Sequence, residues 1–161
     1  MMNNEKVKLG IYQHIPELLK TVKASAICTE VGMTIQLFNN KLHHTTNGKY
    51  SVRKFSQSDV DLINKGVWAL AEKLSVVSIE YSENRQEVID QIKAKLSGVF
   101  LKSVAMHKMG WSETKFKSCM VRTSSKGQYM TFTKEDVQQL TLSVREIAMR
   151  MLSVEYYLDQ E

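Results

Sequence analysis

The basic side chains of this chain gather in two stretches, and clustered lysine and arginine attract phosphate and other anions through their summed field. Between Glu30 and Asp59 there is no acidic residue, while Lys41, Lys49, Arg53 and Lys54 are all basic. Further on, Lys102, Lys108, Lys115, Lys117, Arg122, Lys126 and Lys134 face only Glu113. The net charge of +5 is therefore concentrated, and the chemistry it favours is contact with a polyanion such as nucleic acid. Other chemistry has little support. His14, His43, His44 and His107 stand without carboxylates or cysteines at ligand spacing, and adjacent His43 and His44 point in different directions on a helix. There is no glycine-rich phosphate loop, no His-Glu-x-x-His and no nucleophile elbow. The expectation is a protein that is not an enzyme, with no metal, no cofactor and no small-molecule ligand.

The elements that position the basic side chains are read first from composition. A chain of 161 residues is near one ordinary domain in size, yet it can also hold two small helical units. Hydrophobic content of 43% with 24% charged residues is that of a globular chain. A single proline, Pro16, and only 7 glycines argue against a loop-rich or all-β fold. No apolar run reaches the roughly 20 residues of a membrane span, so no membrane contact is expected. The first residues lack an apolar stretch of the kind that follows a secretion signal. Cys28 and Cys119 sit inside helical patterns without metal or redox spacing, which suits the reducing cytoplasm.

The two basic stretches belong to a repeat with a spacing of about 78 residues. Gly32 falls on Gly110, Phe38 on Phe116, Gly48 and Tyr50 on Gly127 and Tyr129, and Phe55 on Phe132. Asp59-Val60 matches Asp136-Val137, Val67 matches Val144, and Leu74-Ser75-Val76 matches Leu152-Ser153-Val154. Two units are expected, 1–81 and 82–161, each of about four helices. Ile15, Leu18, Leu19 and Val22 supply the apolar face of the first helix, and Ala24 to Val31 reads as the second, ended by Gly32. Thr34 and Ser112 can cap the helices that follow, and Phe38 and Leu42 lie one turn apart on the inner side of the first of these. Ser56 with Asp59, and Thr133 with Asp136, have the form of capping boxes. The long helices they open carry stripes at three-and-four spacing: Val60, Ile63, Val67, Leu70, Leu74, Val77 and Tyr81, then Val137, Leu140, Val144, Ile147, Met151, Val154 and Leu158. Their length exceeds what one small unit needs, so they are expected to pack on each other. The fold class expected is all-α, a pseudo-symmetric pair joined through these C-terminal helices.

Short helix, glycine turn, short helix is the helix-turn-helix pattern. Residues 24–42 and 102–120, with their turn glycines Gly32 and Gly110, resemble the lambda-repressor-like, Xre-type DNA-binding family. The resemblance covers nearly the whole chain as two copies. It implies that the helix after each turn enters the major groove of double-stranded DNA with its exposed residues near base edges. In the first copy these are Thr34, Gln36, Asn39, Asn40 and His43; in the second, Ser112, Thr114, Lys117 and Ser118. Glutamine and asparagine pair bidentately with adenine, while Lys117 suits guanine or a phosphate. Lys41, Lys49, Arg53, Lys54, Lys115, Arg122 and Lys126 are the candidates for the DNA backbone. The function implied is that of a small transcriptional regulator of phage or mobile-element type, with self-association also allowed. The rival expectation is a protein-interaction module on the same scaffold, since Ile35 and Leu37 are apolar on a helix whose outer face should be wet and Glu113 repels phosphate.

Overall fold

A computed structural model describes residues 5–43, 54–120 and 131–159 of the chain. Among them are eight helices and two short strands: β1 (Val7–Gly10), α1 (Ile11–Leu18), α2 (Ala24–Val31), α3 (Ile35–Leu42), α4 (Gln57–Ser75), α5 (Arg85–Lys95), α6 (Leu101–His107), α7 (Glu113–Met120), α8 (Lys134–Leu152) and β2 (Val154–Tyr157). The punctuation expected from the sequence is present. Gly32 and Gly110 both have φ 72°, the left-handed region where a Cβ is unwelcome. Ser56 and Thr133 each accept from the backbone of the aspartate three residues on, and Asp59 and Asp136 return the bond, so both capping boxes are closed.

The long helices α4 and α8 pack on each other, and α2 lies across α4. Gly66 permits that crossing, because a Cβ there would stand 2.7 Å from the carbonyl oxygen of Ile27. Val60, Ile63, Val67 and Leu74 from α4 meet Val137, Val144, Ile147 and Met151 from α8 in one buried core that continues into α1, α2 and α5. Burial of these aliphatic side chains, each contributing about 1.5–3 kcal/mol, is the main favourable term.

Two corrections concern the ends of the long helices. Both stripes were expected to run on as helix, but α4 stops at Ser75 and α8 at Leu152. Beyond them the chain leaves the helix and each tail crosses to the other long helix. Ile79 N–H donates to Thr141 Oγ1 at 3.2 Å, and Tyr156 N–H donates to Asn64 Oδ1 at 2.8 Å. Likewise Arg145 Nε donates to the Val77 carbonyl at 3.1 Å and Trp68 Nε1 to the Val154 carbonyl at 2.9 Å. In the structure the copies superpose one residue short of the Leu74–Leu152 match, so Thr141 and Asn64, Arg145 and Trp68, Ile79 and Tyr156, and Val77 and Val154 are the pairs of matching positions. The tails are thus exchanged reciprocally. The same reciprocity surrounds the antiparallel bridge between Val22 and Val99, where Lys23 N–H donates to Gly98 O and Phe100 N–H to Thr21 O, both at 2.8 Å.

The second tail departs from the first by forming a strand. β2 pairs in parallel with β1, Val7 opposite Val154 and Gly10 opposite Tyr157, so the expected helical class holds with a small two-stranded sheet added to it. The first tail must lead at once into α5, and its Glu80 is held instead by the Gln91 side chain through both backbone groups, at 2.8 and 2.9 Å. Asp159, just past β2, accepts from the N–H groups of Tyr12 and Gln13 and so caps α1, whose own N-cap, Gly10, has no side chain to do it. No helix among the described residues is long and apolar enough to cross a membrane.

Candidate nucleic-acid interface

Helices α3 and α7 follow the turn glycines and carry the positions expected to face DNA. Each is fixed by the same devices. Thr34 Oγ1 accepts from Leu37 N–H at 3.2 Å, and Ser112 Oγ accepts from Lys115 N–H at 3.0 Å, so both N-caps are hydroxyl caps. The inner side of α3 presents Phe38 and Leu42 to the core. The inner side of α7 presents Ser118 and Cys119, with Trp111 buried just before it.

Each helix is also tied to its long neighbour by a lysine on the capping-box aspartate. Lys41 Nζ lies 2.6 Å from Asp59 Oδ2, and Lys115 Nζ lies 3.0 Å from Asp136 Oδ1. These pairs are alike in function but differ in place: Lys41 is in the last turn of α3, whereas Lys115 is in the first turn of α7. Burial alone would raise the pKa of Asp59, but the Lys41 ammonium and the Ser56 backbone and hydroxyl outweigh it and hold the carboxyl below its ordinary value. Lys41 and Lys115 are therefore engaged within the fold, on half-buried stems, and do not stand on the surface as expected of phosphate contacts. Lys115 also lies over the Trp111 ring, 4.5 Å from its centre.

On the outer face of α3, Thr34, Gln36, Asn39 and His43 are exposed and Asn40 is half-buried. The first turn of α3 has no acidic residue, so the positive end of its dipole faces outward unopposed. Ile35 is 39% exposed on the same face. On α7, Ser112, Thr114 and Lys117 are exposed, but Ser118 is buried and is not among the residues that can reach a base. Its expected outward position fails because Ser118 and Cys119 turn together toward the core, where Arg85 Nε donates to the Cys119 carbonyl at 2.7 Å. Glu113 draws in two cations, Lys102 at 2.8 Å and Lys117 at 3.3 Å. Hydrogen bonds from Lys102 and Lys117 lower its pKa, so it stays charged through ordinary conditions.

Of the remaining backbone candidates, Lys54 is exposed, while Lys49, Arg53, Arg122 and Lys126 lie outside the described residues. Sequence reasoning missed the anchoring role of Asp59 and Asp136 and the part of Lys102 in neutralising Glu113. The capping-box pattern marked both aspartates, but pairing across helices has no signature in local spacing. Among the described residues no group of histidine, cysteine, aspartate or glutamate is placed to hold a metal ion. No family model matches the chain, and neither the search of curated proteins nor that of solved structures found a match.

Proposed function

We propose that the chain is a pair of tandem helix-turn-helix units that binds double-stranded DNA sequence-specifically through α3 and α7, as a small transcriptional regulator of the phage or mobile-element kind. The observation that carries this reading is the outer face of α3, where Gln36 and Asn39 project from a helix that is rigidly capped, glycine-entered and open at its positive end. Amide side chains on such a face can pair with adenine in the major groove. The reciprocal packing of the halves supports a two-part site. Because Gln36 and Asn39 match no identical residues on α7, the two half-sites differ in sequence, and the operator lacks perfect two-fold symmetry.

A second reading has its own support. Exposed Ile35 and the Glu113 cluster suit a protein partner better than a phosphate backbone, and they make α7 the weaker reader of the pair. Titration of the protein against random duplex DNA at two salt concentrations separates the readings. A DNA reader binds at low salt, with affinity falling steeply as salt rises. No binding at either salt concentration rejects the DNA reading and leaves the protein-interaction module.

A further inference from the structure

The reciprocal packing of the halves creates two matching clefts, one on each side of the α4–α8 pair, and they differ in charge pairing. The larger, about 820 Å³, is walled by α1, α6, the end of α8 and β2. Its floor is apolar, from Leu18, Ile147, Met151 and Tyr156, and its wall carries one carboxylate, Glu17, among the cations Lys20, Lys108 and Arg150 and the imidazoles of His14 and His107. The smaller, about 420 Å³, is formed by the matching residues of the other half, with Leu70 and Leu74 on its floor.

In the smaller cleft both cations are engaged, one by a carboxylate and one by a carbonyl. Lys73 Nζ lies 2.7 Å from Glu30, and Lys95 donates to the Ser78 carbonyl at 2.8 Å. In the larger cleft, counted from the bridged residues Val22 and Val99 and not from the turn glycines, Arg150 takes the place of Lys73 and His107 that of Glu30, so the matching ion pair is absent. Its three cations share two carboxylates: Lys108 and Arg150 both lean on Glu146, each at 3.3 Å, and Lys20 on Glu17 at 3.0 Å. The balance leaves a net positive wall above an apolar floor, within the size range of small-molecule sites of roughly 300–1,000 Å³. A charged rim that is incompletely neutralised by its own neighbours is electrostatically matched to an anion.

We propose that this cleft is a binding site for a small organic anion, a carboxylate carried on an apolar body, with the carboxylate toward Arg150, Lys108 and His107 and the body against Ile147, Met151 and Tyr156. This departs from the expectation, drawn from the sequence, that the chain takes no small-molecule ligand. It does not rest on the DNA reading, because neither α3 nor α7 lines the cleft.

The test is calorimetric titration of the full chain with 2-naphthoate, with 2-naphthamide as the neutral isostere and acetate as the charge without the body. Saturable 1:1 binding of naphthoate is expected, with naphthamide at least roughly ten-fold weaker and acetate without measurable heat. Arg150→Gln should weaken naphthoate binding by about ten-fold. His107→Glu, which supplies the carboxylate that Glu30 presents to Lys73 in the other cleft, should abolish it. Lys73→Gln should leave it unchanged. Arg150 and His107 are both exposed, so these variants are expected to keep the wild-type melting temperature, checked before titration. Absence of saturable naphthoate binding, equal affinity for naphthamide, or an unaltered affinity in folded His107→Glu overturns the proposal.

Discussion

Asn64, in the middle of α4, holds Tyr156 by both of its backbone groups: Nδ2 donates to the Tyr156 carbonyl at 2.9 Å, and Oδ1 accepts from the Tyr156 N–H at 2.8 Å. The amide is buried and so is the tyrosine ring, whose hydroxyl pKa is pushed up to about 12 by burial. Asparagine is the only side chain of its length that offers donor and acceptor in this fork, and it replaces the ladder bonds that a third strand would have supplied. Asn64→Ala should therefore lower unfolding stability by about 2–4 kcal/mol, because two backbone groups lose their partner inside the protein. At the matching position Thr141→Val removes one bond to Ile79 and keeps the shape, so a loss of only about 1 kcal/mol is expected. Urea unfolding of the two variants measures both, and an Asn64→Ala variant as stable as wild type would show that the tail is not held by this side chain.

The Asp59 carboxylate links the acid stability of the protein to the seating of α3. Its pKa is lower in the folded chain than its ordinary value of 3.8, so the folded state binds fewer protons than the unfolded state as pH falls. The stabilisation it supplies is complete above the ordinary value and disappears as pH drops through the folded one. Asp59→Asn, which keeps the shape but not the charge, should be less stable than wild type at about pH 6, and the gap should narrow below about pH 4. Urea midpoints across that range provide the check.

Gly66 is a contact requirement rather than a turn. A methyl group there would press on the Ile27 carbonyl, which belongs to the rigid backbone of α2 and has little room to yield. Gly66→Ala gains about 1 kcal/mol of helix propensity but should still be destabilising overall, by about 1–3 kcal/mol, through separation of α2 from α4. A melting temperature at or above that of wild type would refute this account of the crossing.

Under the DNA reading, Glu113 acts as a brake on α7. Glu113→Gln releases Lys102 and Lys117 to phosphates, so duplex affinity at low salt should rise roughly three- to ten-fold and its salt dependence should steepen. Gln36→Ala should instead reduce the preference for a selected site over random duplex, by about 1–3 kcal/mol, with little change in salt dependence. Gel-shift titrations with both variants distinguish a charge effect from a reading effect.

Both cysteines are buried, and burial pushes the Cys28 thiol up to about 11. At pH 8 the reactive thiolate is therefore scarce as well as covered, and Cys119 is shifted in the same direction by burial and by Asp136. A disulfide-exchange reagent should label neither residue in the native chain on the timescale of minutes, and both after denaturation in urea. Rapid native labelling would mean that the core around Cys28 or Cys119 opens locally.

Much of this architecture is written in short-range pattern. Gly32 and Gly110, the capping boxes at Ser56 and Thr133, and the three-and-four stripes each act within a turn or two of helix, where backbone sterics and side-chain spacing leave few alternatives. They marked the helices that carry the candidate site and placed Gln36 and Asn39 on its outer face. What they could not mark is where an apolar stripe stops being helix. Val77, Val154 and Leu158 fit the helical period, yet none of them lies in a helix, because Thr141, Asn64, Arg145 and Trp68 on the opposite long helix capture the backbone of each tail. Nor could spacing show that Lys41 and Lys115 are drawn onto Asp59 and Asp136, that Ser118 turns inward, or that His107 replaces Glu30 beside a wall of cations. The sequence by itself determined the repeat, the caps and the faces of the helices, since those depend on neighbours along the chain. Only the tertiary structure decided the exchange of tails, the pairing of charges and the difference between the clefts, since each depends on residues brought together from opposite halves.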